Sequence, residues 1–175
     1  MFVKDDINPL DRLEDRVLRI MENSHQYPTL KQLSIKNRVA FFWTLPSPCI
    51  SDLWISWSIF HLKENETYLV RRVYWVRDSI FATIEDPNTF GCDAAISIDL
   101  VYRIVNAFPK SKKTNSSDLT NSIIFDGINR RAIILNEGID YRWWSGEENH
   151  ELYDHWLEEN ARLLNKFMPV TISKY

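Results

Sequence analysis

The sequence predicts one α+β domain spanning residues 1–175, in which a twisted antiparallel sheet has N-terminal and C-terminal helices packed on one side. Three observations predict this class. Apolar residues recur at helical spacing near both ends of the chain, whereas alternating, β-branched and aromatic segments fill the region between them. No repeat and no linker rich in proline, glycine or serine divides the chain into separate parts.

The N-terminal region predicts two helices. Asn8 is a favourable N-cap, and Pro9 suits the first helical position, so a helix is expected from there until it fades near Ser24. A second, shorter helix is predicted over residues 29–36, because its first and fourth residues, a threonine and a glutamine, have the spacing of a capping box.

The segments that follow have the composition of strands. Their β-branched and aromatic residues, and their period-two alternation, are typical of a sheet buried on at least one face. The central feature is a long hairpin, with a turn of charged and polar residues between its two strands. The predicted strands are residues 39–45, Leu53–Leu62, Thr67–Arg77 and 79–84.

Residues 94–108 predict a helix rather than a strand. Asp93 is available as its cap, apolar residues share one helical face, and Pro109 ends it. The polar segment Lys110–Asn121 that follows is expected to form a mobile surface loop.

The last third of the chain predicts three strands and a long helix. Residues 122–125 and 130–135 form a hairpin around an Asp-Gly turn, and residues 139–144 follow as another strand. The run Ser145–Glu148 has the spacing of a capping box, so it is expected to open a helix that ends near Phe167.

Composition excludes several classes of protein. The four glycines stand apart from one another, so no phosphate-binding glycine loop can form. No apolar run approaches the ~18 residues that a membrane span needs. The N-terminus lacks the basic-then-apolar order of a signal peptide, so a cytoplasmic protein without a membrane partner is expected.

Sequence motifs for catalysis, cofactors or metals are absent. His150 and His155 lie five residues apart, which places them ~140° from each other on a helix, so they cannot share one ion without distortion. No third ligand is evident beside them. The sequence therefore predicts no catalytic residue, no cofactor and no metal.

Acidic residues concentrate in one segment. Residues 139–160 carry seven acidic side chains and one basic one, although the formal net charge of the whole chain is only −3. On the predicted C-terminal helix, these carboxylates form an exposed stripe opposite the apolar face. The predicted partner-binding residues are Glu147, Glu151, Asp154, His155 and Glu158.

An acidic helix with aromatic residues on a small mixed α/β chain predicts a non-enzymatic interaction module that docks a protein with a basic surface. In composition and element order the chain resembles the immunity proteins that neutralise bacterial toxins, often basic nucleases. That resemblance implies an immunity-type inhibitor.

Two alternatives stay open. One is a small-molecule-binding or enzymatic α+β domain with an aromatic-lined pocket. The other is a subunit of a larger complex, or a homodimer, that uses an aromatic sheet face. Nucleic acid is not the expected partner, because the calculated pI of 5.8 outweighs the basic pairs Arg71-Arg72 and Arg130-Arg131.

Overall fold

The computed structural model describes residues 9–27, 30–47, 50–64, 67–77, 83, 87–109 and 127–169. Three α-helices and six strands account for most of these residues. The helices are α1 (Pro9–Glu22), α2 (Ile98–Asn106) and α3 (Glu151–Asn165). The strands are β1 (Ile35–Pro46), β2 (Leu53–Leu62), β3 (Tyr68–Val76), β4 (Thr89–Ile96), β5 (Ile128–Ile134) and β6 (Ile139–Trp144). Short 3-10 turns cover Ser24–Gln26 and Leu135–Glu137.

All six strands belong to one antiparallel sheet in the order β4-β3-β2-β1-β5-β6. The predicted hairpin is confirmed: β2 and β3 pair from Leu53 opposite Val76 to His61 opposite Tyr68. The predicted α+β class with an antiparallel sheet is therefore confirmed. The first predicted helix is confirmed as well, from Pro9 to Glu22.

Helices cover both faces of the sheet. On one face, Val17 and Met21 of α1 pack with Phe41, Trp43 and other side chains of the strands. The opposite face packs against α2 and α3 in a second cluster. This differs from the expected one-sided arrangement. Five consecutive residues of β1 (39–43) are buried, and a strand that is apolar on both faces needs cover on both.

Two helical predictions are corrected by strand pairing. Residues 30–34 are not helical, and β1 already begins at Ile35, opposite Leu62. Residues 94–96 belong to β4, and α2 begins only at Ile98. The cap of α2 is Ser97, whose hydroxyl accepts a hydrogen bond from the Leu100 amide at 3.3 Å.

Three further predictions fall outside the described residues. They are the strand over 79–84, of which only residue 83 is described, the surface loop Lys110–Asn121, and the strand over 122–125. Within the described part of the chain, no helix has both the length and the apolar composition needed to cross a bilayer.

Candidate functional site

Asp154, one of the predicted partner-binding residues, is an internal connector. Its Oδ1 accepts hydrogen bonds from Arg130 Nη1 at 3.0 Å and from Trp143 Nε1 at 2.7 Å. Its Oδ2 accepts from the Ser145 hydroxyl at 2.9 Å and from the Gly146 amide at 3.1 Å. Only 16% of the side chain is exposed. The expected solvent-facing position is therefore wrong, because four donors from β5, β6 and the following turn hold this carboxylate.

The same contacts explain why α3 begins later than predicted. Ser145 was expected to cap the helix, yet its hydroxyl donates to Asp154 instead. Residues 145–149 form turns, and Gly146 adopts a left-handed φ of 85° that favours glycine. The helix starts only at Glu151. The predicted capping box over Ser145–Glu148 is thus wrong.

Glu147 belongs to a hydrogen-bonded array at the start of α3. The Nδ1 atom of His150 lies 3.2 Å from Glu147 Oε2 and 3.3 Å from the Trp144 carbonyl, both of which are acceptors. This assigns the proton of a neutral ring to Nδ1, so that Nε2 accepts from the Tyr141 hydroxyl at 3.1 Å. Burial and the neighbouring Tyr153 and Glu147 raise the pKa of Tyr141.

Tyr141, His150 and Glu147 follow one another in the order of a nucleophile, a base and an orienting carboxylate. Burial raises the pKa of Tyr141, which makes its phenolate harder to form and disfavours this hydroxyl as a nucleophile. None of the three side chains lines the groove between α2 and α3 that is described below. The contacts instead fix the turn that leads from β6 into α3.

The remaining predicted residues face solvent. Glu151 and His155 are exposed on α3, and the adjoining Glu148 is exposed in the turn before it. Glu158 is 63% exposed, although its Oε1 accepts from Arg130 Nη2 at 2.8 Å. We name the exposed carboxylates of Glu148, Glu151 and Glu158 the acidic face.

A groove between α2 and α3 lies beside the acidic face. It has a volume of about 340 Å3. Leu152, His155 and Glu159 line its α3 side. The indole Nε1 of Trp156 donates to the Ile104 carbonyl at 3.0 Å, and this hydrogen bond holds the two helices together at the groove floor.

Sequence reasoning missed this groove. Leu152, Trp156 and Leu163 recur on α3 at helical spacing, which was the available signal. The opposite wall is formed by Arg103 and its neighbours on α2. The predicted helix over residues 94–108 includes Arg103, but α2 and α3 are far apart in the sequence, so their packing side by side was not predictable.

The basic pairs do not form a surface patch. Arg71, Arg72 and Arg130 are buried, with at most 6% of each residue exposed. Arg71 makes a bidentate pair with Asp93 at 2.6 and 2.7 Å. Arg131 is 25% exposed and pairs with carboxylates as well. These four guanidinium groups bind within the fold and present little charge to a phosphate backbone.

Most tryptophans lie in the core. Six of the seven are buried, and only Trp144 is partly exposed, so the tryptophans form no exposed patch on the described sheet. The buried tryptophans are Trp43, Trp54, Trp57, Trp75, Trp143 and Trp156.

Among the described residues, no group of three or more His, Cys, Asp or Glu side chains is arranged to hold a metal ion. Comparison with protein-family models, with curated proteins and with solved structures found no match to this chain.

Proposed function

We propose that the protein is a non-enzymatic interaction module that docks a basic partner protein on α3, as an immunity-type inhibitor of a basic toxin or nuclease does. The observation that carries this proposal is the acidic face: Glu148 and Glu151 are exposed, and Glu158 is 63% exposed. Arg162 is the only arginine or lysine of α3, and it pairs with Glu159 at 2.8 Å.

Two further features support this function. Arg71 and Arg72 are bound by internal acceptors, so their charge does not offset that of Glu148 and Glu151. Arg130 pairs with Glu158 and offsets part of the charge of that carboxylate. Like charges along a helix cost a few tenths of a kcal/mol per pair, so helix stability does not favour such a run by itself. Asp154 and Glu158 are bound by Arg130, and Glu159 is bound by Arg162. Long-range attraction to a basic surface is therefore our explanation for the exposed Glu148 and Glu151. We place the protein in the cytoplasm as part of the same proposal.

The test compares two double variants. Glu148→Gln with Glu151→Gln removes two exposed charges from the acidic face. Asp15→Asn with Glu137→Gln removes two exposed charges elsewhere and is the matched control. Each variant, and the wild type, is used to capture basic proteins from the source cells, and association rates with the captured partner are measured from low to physiological salt.

We expect the acidic-face variant to associate roughly threefold to tenfold more slowly at low salt, because steering charges act on the association rate. The control should associate at the wild-type rate. An immunity role further requires that the partner be toxic or nucleolytic alone and inactive in the complex. Equal rates for both variants at every salt concentration would refute the proposal.

A further inference from the structure

The lining of the groove between α2 and α3 combines apolar side chains with the polar side chains of Arg103, His155, Glu159 and Asn160. Ala107 and Pro109 contribute from the end of α2, and Leu152 and Leu163 contribute from α3. Leu152 is 69% exposed, more than any other large hydrophobic residue that the structure describes. An exposed leucine on the rim of an apolar groove is typical of an anchor point for an apolar side chain of a partner.

The shape of the groove favours an elongated occupant. Leu152 and Leu163 are eleven residues apart on one helix, which corresponds to roughly 16 Å along the α3 axis. This is the length of three helical turns. A helical segment presents side chains at i, i+3, i+4 and i+7 along one stripe, and that spacing fits a groove of this length.

The charges around the groove favour an occupant that carries basic residues. Glu159 lines the α3 wall and pairs with Arg162 at 2.8 Å. The negative charge of this wall therefore comes mainly from Glu151 of the acidic face, which is exposed one helical turn from His155. Arg103 is the one arginine or lysine on the described lining, and it stands on the opposite wall. A cationic flank on the occupant is therefore attracted to the α3 side.

We propose that the α2–α3 groove binds an amphipathic helical segment of the partner, whose apolar stripe contacts Leu152 and whose lysine or arginine residues face α3. This inference rests on the proposed function, and it names the segment of the basic partner that docks.

The probe is a synthetic amphipathic peptide of leucine and lysine, and its matched control has glutamate in place of every lysine. Binding is measured by calorimetry with the full chain, its Leu152→Ser variant and its Leu135→Ser variant. Leu135 is 49% exposed after β5 and lies outside the groove lining, so it controls for the loss of an exposed leucine. Circular dichroism verifies that both variants fold.

We expect the lysine peptide to bind the full chain and the glutamate peptide to bind far more weakly. Leu152→Ser should raise the Kd for the lysine peptide about tenfold, the effect of losing one well-buried apolar contact. Leu135→Ser should leave the Kd unchanged. The inference is overturned if Leu152→Ser binds like the wild type, if the glutamate peptide binds equally well, or if the chain forms a dimer that Leu152→Ser disrupts.

Failure of this inference is distinguishable from failure of the proposed function. If association with the captured partner depends on Glu148 and Glu151 but not on Leu152, the acidic face docks the partner and the groove does not. If the acidic-face variant associates normally while Leu152→Ser weakens the lysine peptide, the groove binds such a segment and the proposed function is refuted.

Discussion

Each buried arginine stands on a strand and binds a helix or a loop. Arg71 of β3 donates to the Ser24 carbonyl at 2.6 Å, which fixes the turn after α1. Arg72, also on β3, donates to Asn165 Oδ1 at 3.0 Å near the end of α3. Arg130 of β5 binds carboxylates in the first half of α3. Removal of an acceptor from a buried guanidinium leaves a buried charge without compensation, and this loss strongly destabilises the fold.

Asp154→Asn tests this dependence. The change removes the negative charge beside the buried Arg130 guanidinium and one of two carboxylate oxygens that serve four donors. We expect the free energy of unfolding to fall by about 3 kcal/mol, measured by urea denaturation. Glu151→Gln, at an exposed position of the same helix, should change it by less than about 0.5 kcal/mol. Equal stability of the two variants would contradict the connecting role of Asp154.

His25 gives the fold a defined pH dependence. Burial, followed by the positive charges of Arg38 and Arg71, lowers the pKa of His25 below its ordinary value. Between that ordinary value, about 6.5, and the lower folded value, the unfolded chain binds the proton more readily than the folded chain. The contribution of His25 to the free energy of unfolding is therefore fully present above about pH 6.5, and it declines as the pH falls towards the lower folded pKa.

The measurement is the free energy of unfolding at about pH 7 and about pH 5. His25→Gln should lose less stability over this interval than the wild type. His155→Gln, at an exposed position, should retain the wild-type loss. The explanation is wrong if removing His25 leaves the pH dependence unchanged.

A local sequence pattern predicts an element well where it fits only one type of secondary structure. The β2–β3 hairpin was predictable because both strands alternate and a polar turn separates them. Residues 94–108 fit both helical and alternating patterns, and pairing with β3 selects a strand up to Ile96. The exposed charge on α3 was also predictable, since it follows from composition and helical period.

The position of Asp154 was not predictable from local pattern. Its donors Arg130 and Trp143 lie 24 and 11 residues away in the sequence and reach it only through the sheet. Helical period places this residue beside Glu151 and Glu158 and gives no sign of those donors. The groove was missed for the same reason, because two helices far apart in sequence form its walls.

Gly91→Ala tests how closely β4 approaches the segment after α1. An added Cβ would lie 2.8 Å from Cε1 of Tyr27 and 3.1 Å from Cδ1 of Leu30. The Tyr27 ring is 2% exposed and its hydroxyl donates to Thr89, so it cannot move freely. Replacement of glycine by alanine ordinarily stabilises a protein, because it reduces the conformational entropy of the unfolded chain. Here the clash should outweigh that gain, so the variant should be less stable than the wild type.

We expect Gly91→Ala to lower the free energy of unfolding by about 1–3 kcal/mol, the usual cost of overpacking, with a matching decrease in Tm. Ala95→Ser, at an exposed position of the same strand, should leave Tm nearly unchanged. A wild-type Tm for Gly91→Ala would mean that Tyr27 and Leu30 relax without cost.

The two faces of the sheet divide the core into two clusters that share every central strand. Phe41 contributes to the cluster under α1, and its neighbour Phe42 contributes to the cluster under α2 and α3. Periodicity shows which residues of a strand share a face, but it does not assign a helix to that face. Because β1 is buried on both sides, α1 could pack against either face of the sheet. The sequence therefore did not predict which face α1 covers.

Because adjacent residues of β1 belong to opposite clusters, loss of one cluster exposes strands that the other needs. We therefore expect both faces to unfold together. Met21→Ala removes a fully buried side chain of α1, and Leu164→Ala removes one of α3. Each substitution should lower the free energy of unfolding by about 2–5 kcal/mol.

The measurement is a urea titration followed by NMR. The indole signals of Trp75 on the α1 face and Trp156 on the other face should disappear at one common midpoint, and both variants should lower that midpoint. If Met21→Ala loses the Trp75 signal at a urea concentration where the Trp156 signal persists, the faces unfold independently and the shared strands do not couple them.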